Sequence, residues 1–170
     1  KEKRPVESSR NMLAFSTVWN ASRHVDGGKI AEEIYGLGFR AIELNFSLDQ
    51  KMVEEIGRFA KAKAVAITSL HNYCPTPETF LRDDALPDCY ALSSLDENER
   101  RLAVEYTRRT ILTAKKLKAR AVVLHSGRVE IEDKTRLLIN HANDGKNTTQ
   151  EYLDIVEAFR RERRLKSGDF

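Results

Sequence analysis

Two histidines stand at matching places in this chain. His71 closes the run Ala64-Val65-Ala66-Ile67-Thr68-Ser69-Leu70, and His125 follows Ala121-Val122-Val123-Leu124 and precedes Ser126 and Gly127. Each run is short, apolar and largely uninterrupted, so each reads as a strand buried on both faces that surfaces at its polar end. A neutral imidazole at such a strand end can ligate a metal or hydrogen-bond a ligand hydroxyl, and its titration near neutrality suits proton shuttling. The plainer role, a strand-cap histidine satisfied by backbone carbonyls, stays open for both.

Other side chains stand at comparable positions. Glu43 is a carboxylate inside the apolar run 41–46. Its two readings are an inward polar residue at a strand end and a ligand-binding group, and in either it needs a partner, because a lone buried carboxylate is costly. Trp19, Asn45 and Tyr73 fall at or just past strand ends and could form an aromatic and polar wall for a small ligand. His24 and His141 lie in loop or helix contexts and receive no role. Cys74 and Cys89 share one loop, are too few for a disulfide framework and lack zinc-knuckle spacing, so they read as reduced thiols.

The elements that must position these groups follow from periodicity. Residues 1–10 are highly charged and are expected to form a flexible arm, after which 12–18 reads as a first strand. Ile30, Ile34 and Leu37 at i, i+4 and i+7 mark an amphipathic helix that Gly38 ends. The strand 41–46 follows, then a helix with Ser47 or Asp49 as its cap and Met52, Val53, Ile56, Phe59 and Ala60 on one stripe. A loop over 72–95 holds Pro75, Pro77 and Pro87, and loops of that length inside a domain are usually lids or binding loops. Asp96 with Glu99 forms a capping-box-like start to a helix ending near Leu117, its buried side striped by Leu102, Tyr106, Thr110, Ala114 and Leu117. Beyond Gly127 the pattern predicts a short helix around 137–139, a turn over 143–147, and a helix capped by Thr148 or Thr149. The basic end of that helix, 160–166, suits a helix C-terminus and reads as a solvated face.

This order is strand then helix, four times. Alternating units predict a parallel sheet with right-handed crossovers, and ligands in such sheets bind at the carboxyl ends of the strands, where both histidines fall. The 170 residues, 41% hydrophobic and 32% charged, suit one soluble domain with a real core. With 29 Lys and Arg against 26 Asp and Glu, the net charge of +3 gives no general warrant for a nucleic-acid partner. No run approaches a membrane span or a signal-peptide core, and a cytoplasmic location is the default expectation.

The run 38–44 (Gly-Phe-Arg-Ala-Ile-Glu-Leu), the strand end Leu70-His71, the long helix over 101–117 and Val123-Leu124-His125-Ser126-Gly127 together resemble the xylose-isomerase-like superfamily of (β/α)8 barrels. That group includes sugar isomerases and epimerases, inosose dehydratases and endonuclease IV-type DNA-repair enzymes. The resemblance covers about residues 11–165, yet only the first four βα units of eight. A whole barrel of this kind takes ~250 residues, so 11–170 is expected to be the N-terminal half of a TIM barrel, or the part of a longer protein.

The resemblance implies metal-assisted proton transfer beside a carbonyl of a sugar or sugar phosphate, through an enediolate. The divalent metal (Mn, Mg, Co or Zn) would be held mainly by Glu, Asp, His and Glu residues on the last four strands, two of these carboxylates moving the proton. Catalytic residues are therefore not assignable in this chain. The family's third and fourth strands end in substrate-facing histidines, metal-binding in the endonuclease IV type, and these positions match His71 and His125. Glu43 matches a frequent acidic position on strand two. A zinc nuclease acting on abasic DNA is the first alternative, and nucleic acid is not the expected partner. A non-catalytic α/β module with a doubly wound sheet is the second, although Asp26-Gly27-Gly28 lacks a phosphate-loop fingerprint. A half barrel has two unpaired edge strands, so the chain is expected to associate as a homo-oligomer or to be completed by a C-terminal half.

Overall fold

The computed structural model describes residues 13–167. The arm expected over 1–10 and the start of the first strand at Met12 lie outside the described residues. Contacts divide the chain after Gly127, and the two units are taken separately.

In the first unit four parallel strands form one sheet in the order β1 (Phe15–Ser16), β2 (Ala41–Leu44), β3 (Ala66–His71) and β4 (Ala121–Val123). Helices α1 (Gly27–Gly36), α2 (Gln50–Lys63) and α3 (Glu97–Leu117) connect them. Sequential neighbour order is that of a barrel wall, whereas a doubly wound sheet reverses direction at a switch point. The described residues thus supply four of a TIM barrel's eight strands.

The helices begin and end for local reasons. Asp49, rather than Ser47, caps α2, its Oδ1 accepting from the amide of Met52 at 2.8 Å. Gly38 follows α1 at φ +96°, the left-handed conformation that glycine adopts without Cβ strain. At α3 only half of the expected capping box forms. Asp96 accepts from the amides of Asn98 and Glu99, but the Glu99 carboxylate turns to the Ala91 amide (2.8 Å) and the Ser94 hydroxyl (2.7 Å) instead of reaching back to Asp96. The buried stripe of α3 runs through Ala103, Tyr106, Thr110 and Ala114, with Leu102 and Leu117 only half-buried.

Ile30 and Ile34 of α1 and Met52, Val53 and Ile56 of α2 close over Ile42, Leu44, Ile67 and Leu70 of β2 and β3, and this is the core. Leu37, on the predicted stripe, is exposed at the C-terminal cap of α1. Because strand side chains alternate, the same packing sends Glu43, Ser69 and His71 to the opposite face.

Three strand expectations need correction. β3, expected to be buried on both faces, buries Ile67 and Leu70 on one face, while Ala66 is exposed and Thr68 and Ser69 are half-buried. The first strand, read over 12–18, is paired only at Phe15–Ser16 and turns into a 3-10 helix over Thr17–Trp19. There the Ser16 side chain accepts from the Val18 amide, and the buried Thr17 hydroxyl accepts from the Asn45 amide (2.9 Å) and donates to Asn45 Oδ1 (3.0 Å). Such side-chain bonds offer the backbone an alternative to the ladder. The run 121–124, expected to be buried on both faces, is an edge: among the described residues β4 pairs only with β3, and Val123 and Leu124 are 38% and 48% exposed.

In the second unit, α4 (Thr135–Asn143) and α5 (Gln150–Lys166) are joined by a turn containing Gly145, and Thr149 caps α5 by accepting from the Tyr152 amide. Neither helix fully buries a side chain within the described residues. No helix among them is long and apolar enough to cross a membrane.

Candidate functional site at the strand ends

A break in strand register builds the site. Ile42 stands opposite Ile67, but Glu43 stands opposite Ser69, so Thr68 is the extra residue of a bulge in β3. The bulge sets Ser69 beside the carboxylate, and its hydroxyl donates to Glu43 Oε2 at 2.9 Å. The half-buried Glu43 therefore has the partner its position demands. One bond occupies a small part of its acceptor capacity, since a carboxylate offers about four lone-pair sites.

Two residues further along β3, His71 pairs with Val123 of β4, and His125 lies two residues beyond that partner, just past the end of the strand. The two imidazole rings lie 4.7 Å apart between centroids, tilted by 48°. Phe46, just past β2, meets His71 edge-on at 5.4 Å. His71 Nδ1 lies 3.3 Å from the Asn72 carbonyl oxygen, to which it can only donate, so in the neutral ring Nε2 is the acceptor. Both imidazoles are half-buried, wet enough to meet a solute.

The remaining residues read from the sequence go elsewhere. Asn45 is 3% exposed, and its amide and side chain lock β2 to Thr17 and Ser47. Tyr73 is 1% exposed, with its hydroxyl donating to the Tyr90 carbonyl at 2.6 Å, and burial pushes its phenol up to about 12. As wall residues for a sugar, Asn45 and Tyr73 are corrected to packing residues: both side chains are enclosed. Trp19 is 41% exposed at the end of the turn after β1, but its ring is taken up by Phe15 at 5.3 Å and the Arg23 guanidinium at 4.3 Å. Burial raises both cysteine thiols, Cys89 to about 11, and both are free.

Ser69 and Phe46 are the contributors that the sequence reading missed. Phe46 carried a signal, as the aromatic that closes the apolar run 41–46, although the strand itself stops at Leu44. Ser69 carried none, because no residue type announces a bulge.

The family model for xylose isomerase-like TIM barrels matches residues 31–166. The chain belongs to the xylose isomerase-like TIM barrel family. Neither a curated protein nor a solved structure matches it. In a TIM barrel the carboxyl ends of the strands carry the active site, and His71, His125 and the Glu43–Ser69 pair stand at or near those ends. A divalent metal does not fit these residues alone. Two imidazoles are half of the about four donors a zinc ion takes, and no group of three or more His, Cys, Asp or Glu among the described residues is arranged to hold an ion.

Proposed function

We propose that this xylose isomerase-like chain contributes the substrate-holding half of a sugar or sugar phosphate isomerase or epimerase. The observation that carries the reading is the His71–His125 pair, 4.7 Å apart at the strand ends. The reaction class is proton abstraction beside a carbonyl through an enediolate, with reprotonation at the neighbouring carbon or on the opposite face. The part of this chain is recognition. His71 Nε2 accepts a sugar hydroxyl, His125 bonds a second, Glu43 accepts a third beside Ser69, and the edge of Phe46 gives the C–H face of the ring an apolar surface. The proton-moving carboxylates and most of the donors for a divalent metal belong outside the described residues, where a second copy or a further segment of chain would supply them.

Titrating a panel of neutral sugars and sugar phosphates into the chain, with the imidazole C–H resonances followed by NMR, tests this. The resonances of His71 and His125 are expected to move with a shared saturation curve while those of His24 and His141 stay, and a His71→Ala, His125→Ala double variant should lose the response. A panel that moves none of the four, or all four alike, overturns the reading. Calorimetry with manganese or zinc should give only weak binding for the same reason that the donor shell is short. Tight stoichiometric binding by the 170-residue chain would show a complete ion site instead.

The closeness of the two imidazoles also favours a second reading, a zinc nuclease of the endonuclease IV type in which both histidines are ligands. Zinc-dependent cleavage of abasic-site DNA, abolished by a chelator, would select it.

A further inference from the structure

The segment between β3 and α3 touches the connections that follow the other three strands. Thr76 donates its hydroxyl to the Phe46 carbonyl at 2.6 Å and its amide to the Leu48 carbonyl at 2.8 Å, both after β2. Arg82, in a 3-10 turn over Arg82–Asp84, donates Nε to the Ser47 carbonyl at 2.9 Å and Nη1 to the His24 carbonyl at 2.6 Å, thereby reaching the connection after β1. At the far end of the segment Ser93 presses on Gly127, after β4. Gly127 sits at φ +108°, and a Cβ built there would stand 2.1 Å from Ser93 Oγ, so only glycine admits the approach.

The segment has its own small packing. Tyr90 stacks on Tyr106 of α3 at 5.6 Å and 7°, meets Phe80 edge-on at 5.2 Å, and takes the Tyr73 hydroxyl on its carbonyl. It is therefore held as a body rather than as a loose chain. Arg82 is the unusual member. Of the five N–H donors of a guanidinium, the two engaged nitrogens face main-chain carbonyls, while Nη2 is buried with no partner. A buried unsatisfied donor on a cation is a standing cost that opening to water would remove.

We infer that residues 77–95 are a strap across the strand ends and that Arg82 is its clasp, a positioning residue that sets Phe46 and, through it, the His71–His125 pair. The link is covalent and short: the carbonyls held by Thr76 and Arg82 belong to Phe46 and Ser47, and the Phe46 ring abuts His71. With the clasp closed, Phe46 limits the His71 ring to one orientation. With it open, the Arg82 guanidinium is hydrated and the imidazole pair is free to turn. This inference rests on the histidine pair being the ligand-facing site, but its test reads the strap directly and needs no sugar.

Hydrogen exchange followed by mass spectrometry on the chain, combined with imidazole NMR, decides it. In Arg82→Ala, strap amides such as Ala85, Cys89 and Ser94, whose bonds run within the segment, are expected to exchange about tenfold faster or more, while those of α1 and α2 stay within about twofold of the wild type. The His71 resonance should shift in the same variant. Arg82→Lys keeps the charge but loses the planar fork. It should show the same pattern at reduced size, and it carries the test if Arg82→Ala does not fold. Strap exchange within about twofold of the wild type, or a rise shared equally by α1 and α2, overturns the strap. A faster strap with an unmoved His71 overturns the positioning role. Failure of every sugar to bind would leave these readouts intact and would count against the functional reading alone.

Discussion

β3 and β4 have nearly the same design, a short apolar run closed by histidine, and the fold treats them differently. β3 lies between two strands and packs against α2 and α3, so Ile67 and Leu70 are 6% and 0% exposed. β4 has one neighbouring strand among the described residues, and Val123 and Leu124 remain 38% and 48% exposed. An apolar run reports that a segment is able to be buried. What buries it is decided by the elements on either side, and for β4 these are half absent from the described residues.

The largest expected effect breaks this comparison if it fails. Leu70→Ala should destabilise the chain by about 2–5 kcal/mol in chemical denaturation, because it leaves a cavity in a closed core. Val123→Ala should cost about 1 kcal/mol or less, since much of its surface is already wet. Equal losses would mean that β4 is covered in solution.

The other edge of the sheet sharpens the contrast. β1 is only two residues long, yet Thr17 and Asn45 tie its end to β2 through two buried bonds. Thr17→Val keeps the shape, strips both bonds and leaves the Asn45 amide and Oδ1 without these partners, at an expected cost of about 1–3 kcal/mol. A neutral result would place the strength of that edge in the aromatic contacts of Phe15 with Trp19 and Phe39 instead.

The smallest effect lies in the connection after β1. The Glu33 carboxyl is held below its ordinary range, first by the Asn20 side-chain amide, then by His24, with Arg23 also nearby. Because its folded value is the lower one, its contribution to stability is complete above the ordinary glutamate value of about 4.3 and drains away as pH falls through the lowered value. Denaturation midpoints measured across that range should fall less steeply with acid in Glu33→Gln than in the wild type. A steeper acid limb in the variant would reverse the assignment.

Much of the scaffold was legible in the residues. Ile30 and Ile34, the Gly38 stop, the Asp49 cap and the proline-rich stretch before Asp96 are local signals, written in spacing and backbone preference. The four-unit strand and helix order carried the parallel sheet, whereas the barrel wall came from the family resemblance and is told from a doubly wound sheet by the neighbour order β1-β2-β3-β4. The site was legible only in outline. His71 and His125 were found because a polar residue ending an apolar run is itself a local pattern, whereas Tyr73 and Asn45, equally near strand ends, turned inward because Tyr90 and Thr17 offered buried partners.

By itself the sequence determined where the helices and the second to fourth strands form, and that two imidazoles stand at or near strand ends. Those properties follow from periodicities of two and 3.6 residues, which act within a few residues of chain. The tertiary structure decided the rest: the bulge at Thr68 that joins Ser69 to Glu43, the approach of the two rings, and the reach of Arg82 over carbonyls 35 and 58 residues away in sequence. Each depends on register and on segments distant in the chain, and no local preference encodes either.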